Sequence, residues 1–253
     1  MSKTYYSNPR VLDGASTPPE FGLHDTATAL EGMKVGTRIR DGERTFFLAK
    51  AGAALDAGKL LESAVFGGAA TAAQVDLTVA AGAVGDTTIT VTVANSQAKD
   101  LFAEGYVSIV SDTNAHGAGQ NFKVKSHAAL TATALPLEVY DGVGLAFTAD
   151  CKASLQVNPF MNVKETAVTT AVGFPVGVPL VDVASGSYFW CQTWGPATVW
   201  TSSTVTKDSR MDRSLTAGQS VTRGANTVVS AIGNSIQAGS ANDYPLMNLT
   251  LFP

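Results

Sequence analysis

The sequence predicts an all-β protein of antiparallel β-sandwich or small-barrel domains that follow an extended N-terminal arm. Three patterns lead to this prediction. The run from Val183 to Thr206 has no Asp, Glu, Lys or Arg but is interrupted by glycine and proline, which is typical of strands buried on both faces. Between residues 70 and 157, apolar and polar residues alternate with period two. Beyond Asn158, turn residues recur about every ten positions, a spacing that suits a sandwich or small barrel.

The predicted arm covers residues 1–30. It contains Pro9, Pro18 and Pro19 and has no usable periodicity. Such a segment is expected to be disordered alone or to lie over a neighbouring molecule.

The remaining chain is predicted to form two domains. We expect a β-rich domain with an inserted β region over residues 31–157, and a C-terminal sandwich or barrel over residues 158–253. Asp-Gly pairs at residues 41–42 and 141–142 lie between strand-like runs, and each predicts a hairpin. The stretch from Asn95 to Phe102 indicates a short helix.

Alternation predicts individual strands within residues 70–157. In the segments 88–93, 122–125 and 153–157, apolar side chains occupy every second position. We expect these segments to be antiparallel strands with one exposed face.

Two distant segments resemble each other. Phe46 to Gly58 and Tyr188 to Gly218 both begin with aromatic residues and both end in Leu-x-Ala-Gly. Either two related β units or a coincidence in a Gly- and Ala-rich chain explains the similarity.

Charge, hydropathy and cysteine content indicate the kind of partner and the cellular compartment. The net charge is −4 and lysines and arginines form no run, which disfavours binding to a nucleic-acid backbone. The N-terminus lacks the apolar core of a signal peptide and no later run could span a bilayer, so we expect a cytosol-like compartment and no membrane partner. Cys151 and Cys191 lie in strand-like apolar runs, which predicts free buried thiols.

Motifs for catalysis and for cofactors are not found in the sequence. His24, His116 and His127 lack zinc-site spacing, and neither a Gly-x-Ser-x-Gly elbow nor a nucleotide-binding loop is encoded. We therefore expect no enzyme activity, cofactor or metal. A pair of carboxylates for glycan hydrolysis stays open, because sequence alone does not place two acids in one groove.

Aromatic residues are the remaining candidates for a site. Trp190 and Trp194 share parity on a strand and are expected to face one side, with Tyr188 beside them. We assign Tyr188, Trp190, Trp194 and Trp200 to the core or to a subunit interface, since aromatic residues dominate both kinds of burial. Stacking of the Trp190–Trp194 face on sugar rings is the alternative.

A series of short segments, in a fixed order, resembles the capsid decoration, or cement, proteins of tailed bacteriophages. The segments span roughly residues 70 to 253. They are residues 99–107 (KDLFAEGYV), 119–127 (GQNFKVKSH), 158–160 (NPF), 176–179 (VGVP), 186–197 (GSYFWCQTWGPA) and 232–235 (IGNS).

The resemblance implies a non-enzymatic β protein of the virion. Such a protein is assembled in the host cytoplasm, binds the major capsid protein on the outer surface of the expanded head as a homotrimer, and stabilises the head against DNA pressure. Within this interpretation, Tyr5, Tyr6 and Arg10 of the arm are the expected capsid contacts.

Two further functions remain as alternatives. One is a tail or head-fibre protein that binds a host surface glycan through the Trp190–Trp194 face. The other is a glycan-degrading enzyme, which needs two acids that face one groove.

Overall fold

The computed structural model describes residues 11–12, 20–63, 75–111, 117–131, 133–166, 173–214, 218–222 and 231–253. Every regular element in these ranges is a β-strand, and the strands form two curled antiparallel sheets, so the predicted all-β class is confirmed. In the same ranges, no helix is long and apolar enough to cross a membrane. The chain divides into unit 1, residues 1–63 with 160–253, and unit 2, residues 64–159.

Unit 1 contains an eleven-stranded sheet that curls into a half-barrel. Its strands are β1 (Val11–Leu12), β2 (Arg38–Asp41), β3 (Arg44–Lys50), β4 (Leu61–Glu62), β11 (Lys164–Glu165), β12 (Pro175–Pro179), β13 (Tyr188–Thr198), β14 (Arg210–Arg213), β15 (Ser220–Thr222), β16 (Ala231–Ser235) and β17 (Leu246–Thr250). The main order is β1-β2-β3-β13-β17-β16-β14-β15, and β12 connects β4 and β11 to β13.

Strand β13 lies at the centre of unit 1. It pairs with β3 along one edge and with β12 and then β17 along the other. Residues 189–193 are buried without interruption, which accounts for the absence of charge in this part of the sequence. Because β3 pairs with β13, residues 31–63 join the C-terminal segment, so the units differ from the expected domains 31–157 and 158–253.

The two similar segments therefore become neighbouring strands of one sheet. Phe47 of β3 pairs with Cys191 of β13, and Leu48 pairs with Trp190. Their relationship in the fold is direct antiparallel pairing.

The end of the predicted arm is part of unit 1. Leu23 is 3% exposed and packs in a cluster with Ile39, Phe46 and Trp190, and Ala27 forms a bridge with Tyr188. Residues 20–30 are thus packed against their own unit, which corrects the expected arm boundary at residue 30. Residues 1–10 and 13–19 lie outside the described ranges.

Unit 2 is a near-closed six-stranded barrel. Its strands, in spatial order, are β5 (Leu77–Thr78), β10 (Lys152–Gln156), β7 (Tyr106–Ser111), β8 (Asn121–Ser126), β9 (Ala134–Val139) and β6 (Thr88–Thr92). The two edges of the sheet meet where Val79, which follows β5, forms a β-bridge with Val91 of β6. One apolar cluster fills the interior, and the outward positions of β8 and β10 are polar, as the alternation predicts.

Local predictions had mixed outcomes. The Asp41-Gly42 hairpin is confirmed, because Asp41 pairs with Arg44 and Gly42 has a φ of 63°. The hairpin at residues 141–142 is wrong, since β9 ends at Val139 and pairs with β6 and β8. The helix over residues 95–102 is also wrong, because this stretch forms turns in which Asp100 has a φ of 56°.

Seven turns in the described ranges share one geometry. In each, the third residue has a positive φ, and the N–H of the fourth donates to the carbonyl of the first. The third residues are Gly36, Gly58, Gly85, Asp100, Glu104, Gly186 and Asp208. The first Leu-x-Ala-Gly segment is one of these turns, so its glycine is explained by local backbone geometry.

Candidate functional site

Trp190 is a core residue. Its side chain is 1% exposed, its ring lies 5.8 Å from that of Phe21, and its Nε1 donates a hydrogen bond of 3.2 Å to the Phe21 carbonyl. Tyr188 is half-buried, with the Lys50 Nζ 5.3 Å from its ring centroid. Trp190 is therefore closed to stacking on a sugar.

Trp194 does not share a face with Trp190. The pairing register of β13 with β3 shifts between Gln192 and Trp194, so that Gln192 pairs with Phe46 and Trp194 with Thr45. Residues that pair across two strands point to the same side of the sheet, whereas neighbours along one strand point to opposite sides. Phe46 and Thr45 are neighbours, so the bulge places Trp194 on the side opposite to Gln192. The expected common face of Trp190 and Trp194 is wrong for this reason.

Trp200 belongs to a partly exposed cluster on unit 1. The ring centroids of Trp200 and Tyr244 lie 4.7 Å apart in a T-shaped arrangement, and the Lys59 Nζ lies 4.8 Å from the Trp200 centroid. The Lys59 Nζ is also 3.8 Å from a carboxylate oxygen of Asp56 and of Glu165. Burial raises the pKa of Tyr244, and the negative charges of Asp56, Asp182 and Glu165 raise it further.

Two of these carboxylates hold the first Leu-x-Ala-Gly turn. Glu165 accepts a hydrogen bond from the backbone N–H of Asp56, and Asp182 accepts one from the N–H of Ala57. A Cβ built on Gly58 would lie 2.9 Å from the Tyr244 ring. The cluster therefore stabilises a turn.

The expected capsid contacts belong to the N-terminal arm. Tyr5, Tyr6 and Arg10 lie outside the described residues.

The outer face of unit 2 carries a row of residues that the sequence did not single out. Tyr106 on β7 pairs with Lys123 on β8, and the backbone N–H of Tyr140 donates to the Lys123 carbonyl. Tyr106 and Tyr140 are 38% and 41% exposed. We call Tyr106, Lys123 and Tyr140 the tyrosine row.

Glu104 fixes two members of this row. The Tyr140 hydroxyl donates to its carboxylate, and the Lys123 Nζ lies 2.8 Å from its other oxygen. The Glu104 side chain is 8% exposed and its backbone has a φ of 61°, which L-residues rarely adopt. The Lys123 Nζ also lies 5.8 Å from the Tyr140 ring centroid. Lysine and tyrosine are thus held in one arrangement by a buried carboxylate.

An open depression on unit 2 is lined by residues of β6, β8 and β9 and of two adjoining loops, and we call it the polar depression. Its lining residues are Thr88, Lys99, Asp100, Ser126, His127, Ala128, Pro136 and Glu138. Glu138 is in contact with Lys125 and accepts a hydrogen bond of 2.7 Å from Ser126. These two hydrogen bonds lower the pKa of the exposed Glu138 carboxyl, so it stays ionised at neutral pH.

His127 has a structural role in the floor of this depression. Its Nε2 accepts a hydrogen bond of 3.0 Å from the Phe102 N–H, so the ring proton lies on Nδ1, which is 2.8 Å from the Ala128 carbonyl. The Asp100 carboxylate accepts from the His127 backbone N–H. Both ring nitrogens are used, which explains the burial of this histidine at 5% exposure.

Within the described ranges, no group of three His, Cys, Asp or Glu side chains is placed to hold a metal ion. Cys151 and Cys191 are buried and form no disulfide, which confirms the predicted thiols.

Comparison with protein-family models, with curated proteins and with solved structures found no match to this chain.

Sequence reasoning missed the tyrosine row because its residues come together through strand register. Alternation does place Lys123 and Lys125 on the outer face of β8. It does not say that Tyr106 and Tyr140 flank Lys123, because the order of strands in a barrel is set by non-local pairing.

Proposed function

We propose that this protein is a structural component of a tailed-bacteriophage virion, a decoration or cement protein that binds the major capsid protein on the outer surface of the expanded head. The observation that carries the proposal is the fixed order of the segments that resemble this family. Those segments lie in both units and contribute to β7, β8, β12, β13 and β16. The resemblance therefore extends over the framework of the fold and is not limited to one loop.

Multivalent binding is the mechanism that we propose. A homotrimer makes three equivalent contacts with the shell, so release of one contact is reversed while the other two hold. Tyr5, Tyr6 and Arg10 supply part of each contact, since tyrosine and arginine are the residue types that dominate binding energy at interfaces.

The proposed role is non-enzymatic. Glu165 and Asp182 hold a backbone turn, and His127 uses both ring nitrogens to hold a loop. Each of these potentially reactive groups has a structural task, which supports a protein whose function is to bind and stabilise.

Reconstitution of undecorated heads tests this function. Purified protein added to expanded heads should raise the temperature at which they release DNA, and the effect should saturate with added protein. Sedimentation of the free protein should show a trimer. Heads that release DNA at the same temperature with and without the protein would contradict the stabilising role.

A further inference from the structure

The tyrosine row offers two partly exposed aromatic rings, one on each side of Lys123. Adjacent strands lie about 4.8 Å apart, so Tyr106 and Tyr140, which flank Lys123 on either side, are separated by about 10 Å. One short oligosaccharide can reach across this distance and place a sugar ring on each tyrosine.

Pre-organisation favours such binding. The Tyr140 ring is held through its hydroxyl by the buried Glu104, which also holds Lys123. A side chain that is already fixed loses little conformational entropy when a ligand binds. The positive φ of Glu104 is a local strain, and strain of this kind is concentrated at functional sites.

The polar depression supplies matching hydrogen-bond chemistry. Thr88 and Ser126 carry hydroxyl groups, Glu138 and Asp100 carry acceptors, and Lys99 carries donors. A sugar hydroxyl both donates and accepts, so it suits a surface that mixes these groups. Glu138 lies two positions before Tyr140, and thus both residues lie on the same side of the sheet.

Charge pairing indicates that the ligand is neutral. The Lys125 Nζ lies 2.5 Å from Glu138, and the Lys99 Nζ lies 4.0 Å from Asp100. A polyanion such as nucleic acid needs several cations that are not already neutralised. The face is also polar around its tyrosines, unlike the apolar centre of a typical protein interface. Lys123 lies between the two tyrosines, and beside the row Ser108 donates a hydrogen bond of 3.0 Å to Asn121.

From these observations we propose that the outer face of unit 2 is a binding site for a neutral oligosaccharide. The sugar rings stack on Tyr106 and Tyr140, and the hydroxyl groups of the next residue bind in the polar depression. The site uses residues of unit 2 alone, and the inference goes beyond the cement function and does not rest on it.

Affinity electrophoresis of the full chain tests the proposal. Native gels that contain dextran, mannan or laminarin serve as neutral probes, and heparin serves as the anionic probe. The protein should migrate more slowly in at least one neutral polysaccharide and unchanged in heparin. Tyr106→Ala and Tyr140→Ala should each weaken binding about tenfold or more, because each removes one stacked ring.

Matched variants distinguish a loss of glycan binding from a loss of folding. Tyr106→Phe keeps the ring and should bind as the wild type does. Val84→Ala truncates a side chain that is 66% exposed elsewhere on unit 2, and it should also leave binding unchanged. The melting temperature of each variant confirms that the protein is folded.

Two results would overturn the proposal. One is that the wild-type protein migrates no more slowly in any of the three neutral polysaccharides. The other is equal retardation of the wild type and the Tyr106→Ala/Tyr140→Ala variant. If that double variant instead loses binding to capsids while its migration in the gels is unchanged, the row docks a protein and not a glycan. Capsid binding is measured separately, so failure of the glycan site and failure of the cement function are distinguishable.

Discussion

The guanidinium of Arg213 lies 2.8 Å from the carboxylate of Glu62, and the two side chains are only 1% and 5% exposed. The residues are on β14 and β4 of unit 1, and Arg213 also donates to the Gly173 carbonyl at 3.5 Å. A buried ion pair of this kind offsets a large desolvation cost only while both partners are present.

Removal of one partner should therefore destabilise the fold strongly. Arg213→Met leaves the Glu62 charge buried without its cation and should lower the free energy of unfolding by about 3–5 kcal/mol. The double variant Arg213→Met/Glu62→Leu should recover much of this loss. Chemical denaturation measures both. The control is Lys125→Met in the exposed pair with Glu138, which should cost less than about 1 kcal/mol. Equal losses for Arg213→Met and Lys125→Met would be inconsistent with a buried pair.

Substitutions at equivalent positions in two turns should change the stability of the fold in opposite directions. Gly58 has a φ of 71° beneath the Tyr244 ring, so Gly58→Ala should destabilise by at least about 1–2 kcal/mol from backbone strain alone. Asp208 has a φ of 66° in the same kind of turn, and Asp208→Gly relieves strain there. The second variant should be neutral or slightly stabilising in thermal unfolding. A Gly58→Ala protein as stable as the wild type would refute this reading of the turn.

Both thiols should be unreactive in the native protein. Cys151 and Cys191 are 0% exposed, and burial raises the pKa of the Cys191 thiol, so little thiolate forms at pH 8. A chromogenic disulfide reagent should react slowly with native protein and should titrate both cysteines after denaturation. Ser185→Cys, at an exposed turn position, should add one thiol that reacts at once. Rapid reaction of the native wild type would show that the cysteines are accessible.

Deletion of residues 2–10 tests the arm. This deletion retains β1, whose Val11 and Leu12 pair with Arg40 and Ile39. It should weaken capsid binding while the melting temperature and the trimer remain unchanged. The triple variant Tyr5→Ala/Tyr6→Ala/Arg10→Ala should reproduce the loss without shortening the chain. Capsid binding equal to that of the wild type in both variants would remove these residues from the proposed interface.

Local patterns in the sequence were sufficient to predict several elements. The alternation at residues 88–93, 122–125 and 153–157 identified β6, β8 and β10, because one face of each strand lines the barrel interior. The Asp41-Gly42 hairpin followed from turn chemistry alone, since a positive φ at Gly42 is encoded by the residue itself.

Non-local features could not be predicted in this way. The pairing of β3 with β13 and the contact of Glu62 with Arg213 join residues more than a hundred positions apart in sequence, and no local signal marks either. Trp194 was placed on the wrong side because parity assumes a regular strand, whereas β13 has a bulge after Gln192. The tyrosine row depends on strand order and on the buried Glu104 in the same way.

The most direct test of the cement function is co-sedimentation of the purified chain with expanded, undecorated capsids of its own phage. Unexpanded precursor shells are the control. The proposed function predicts saturable binding to expanded capsids and none to precursor shells. Failure to bind either shell would contradict the cement function.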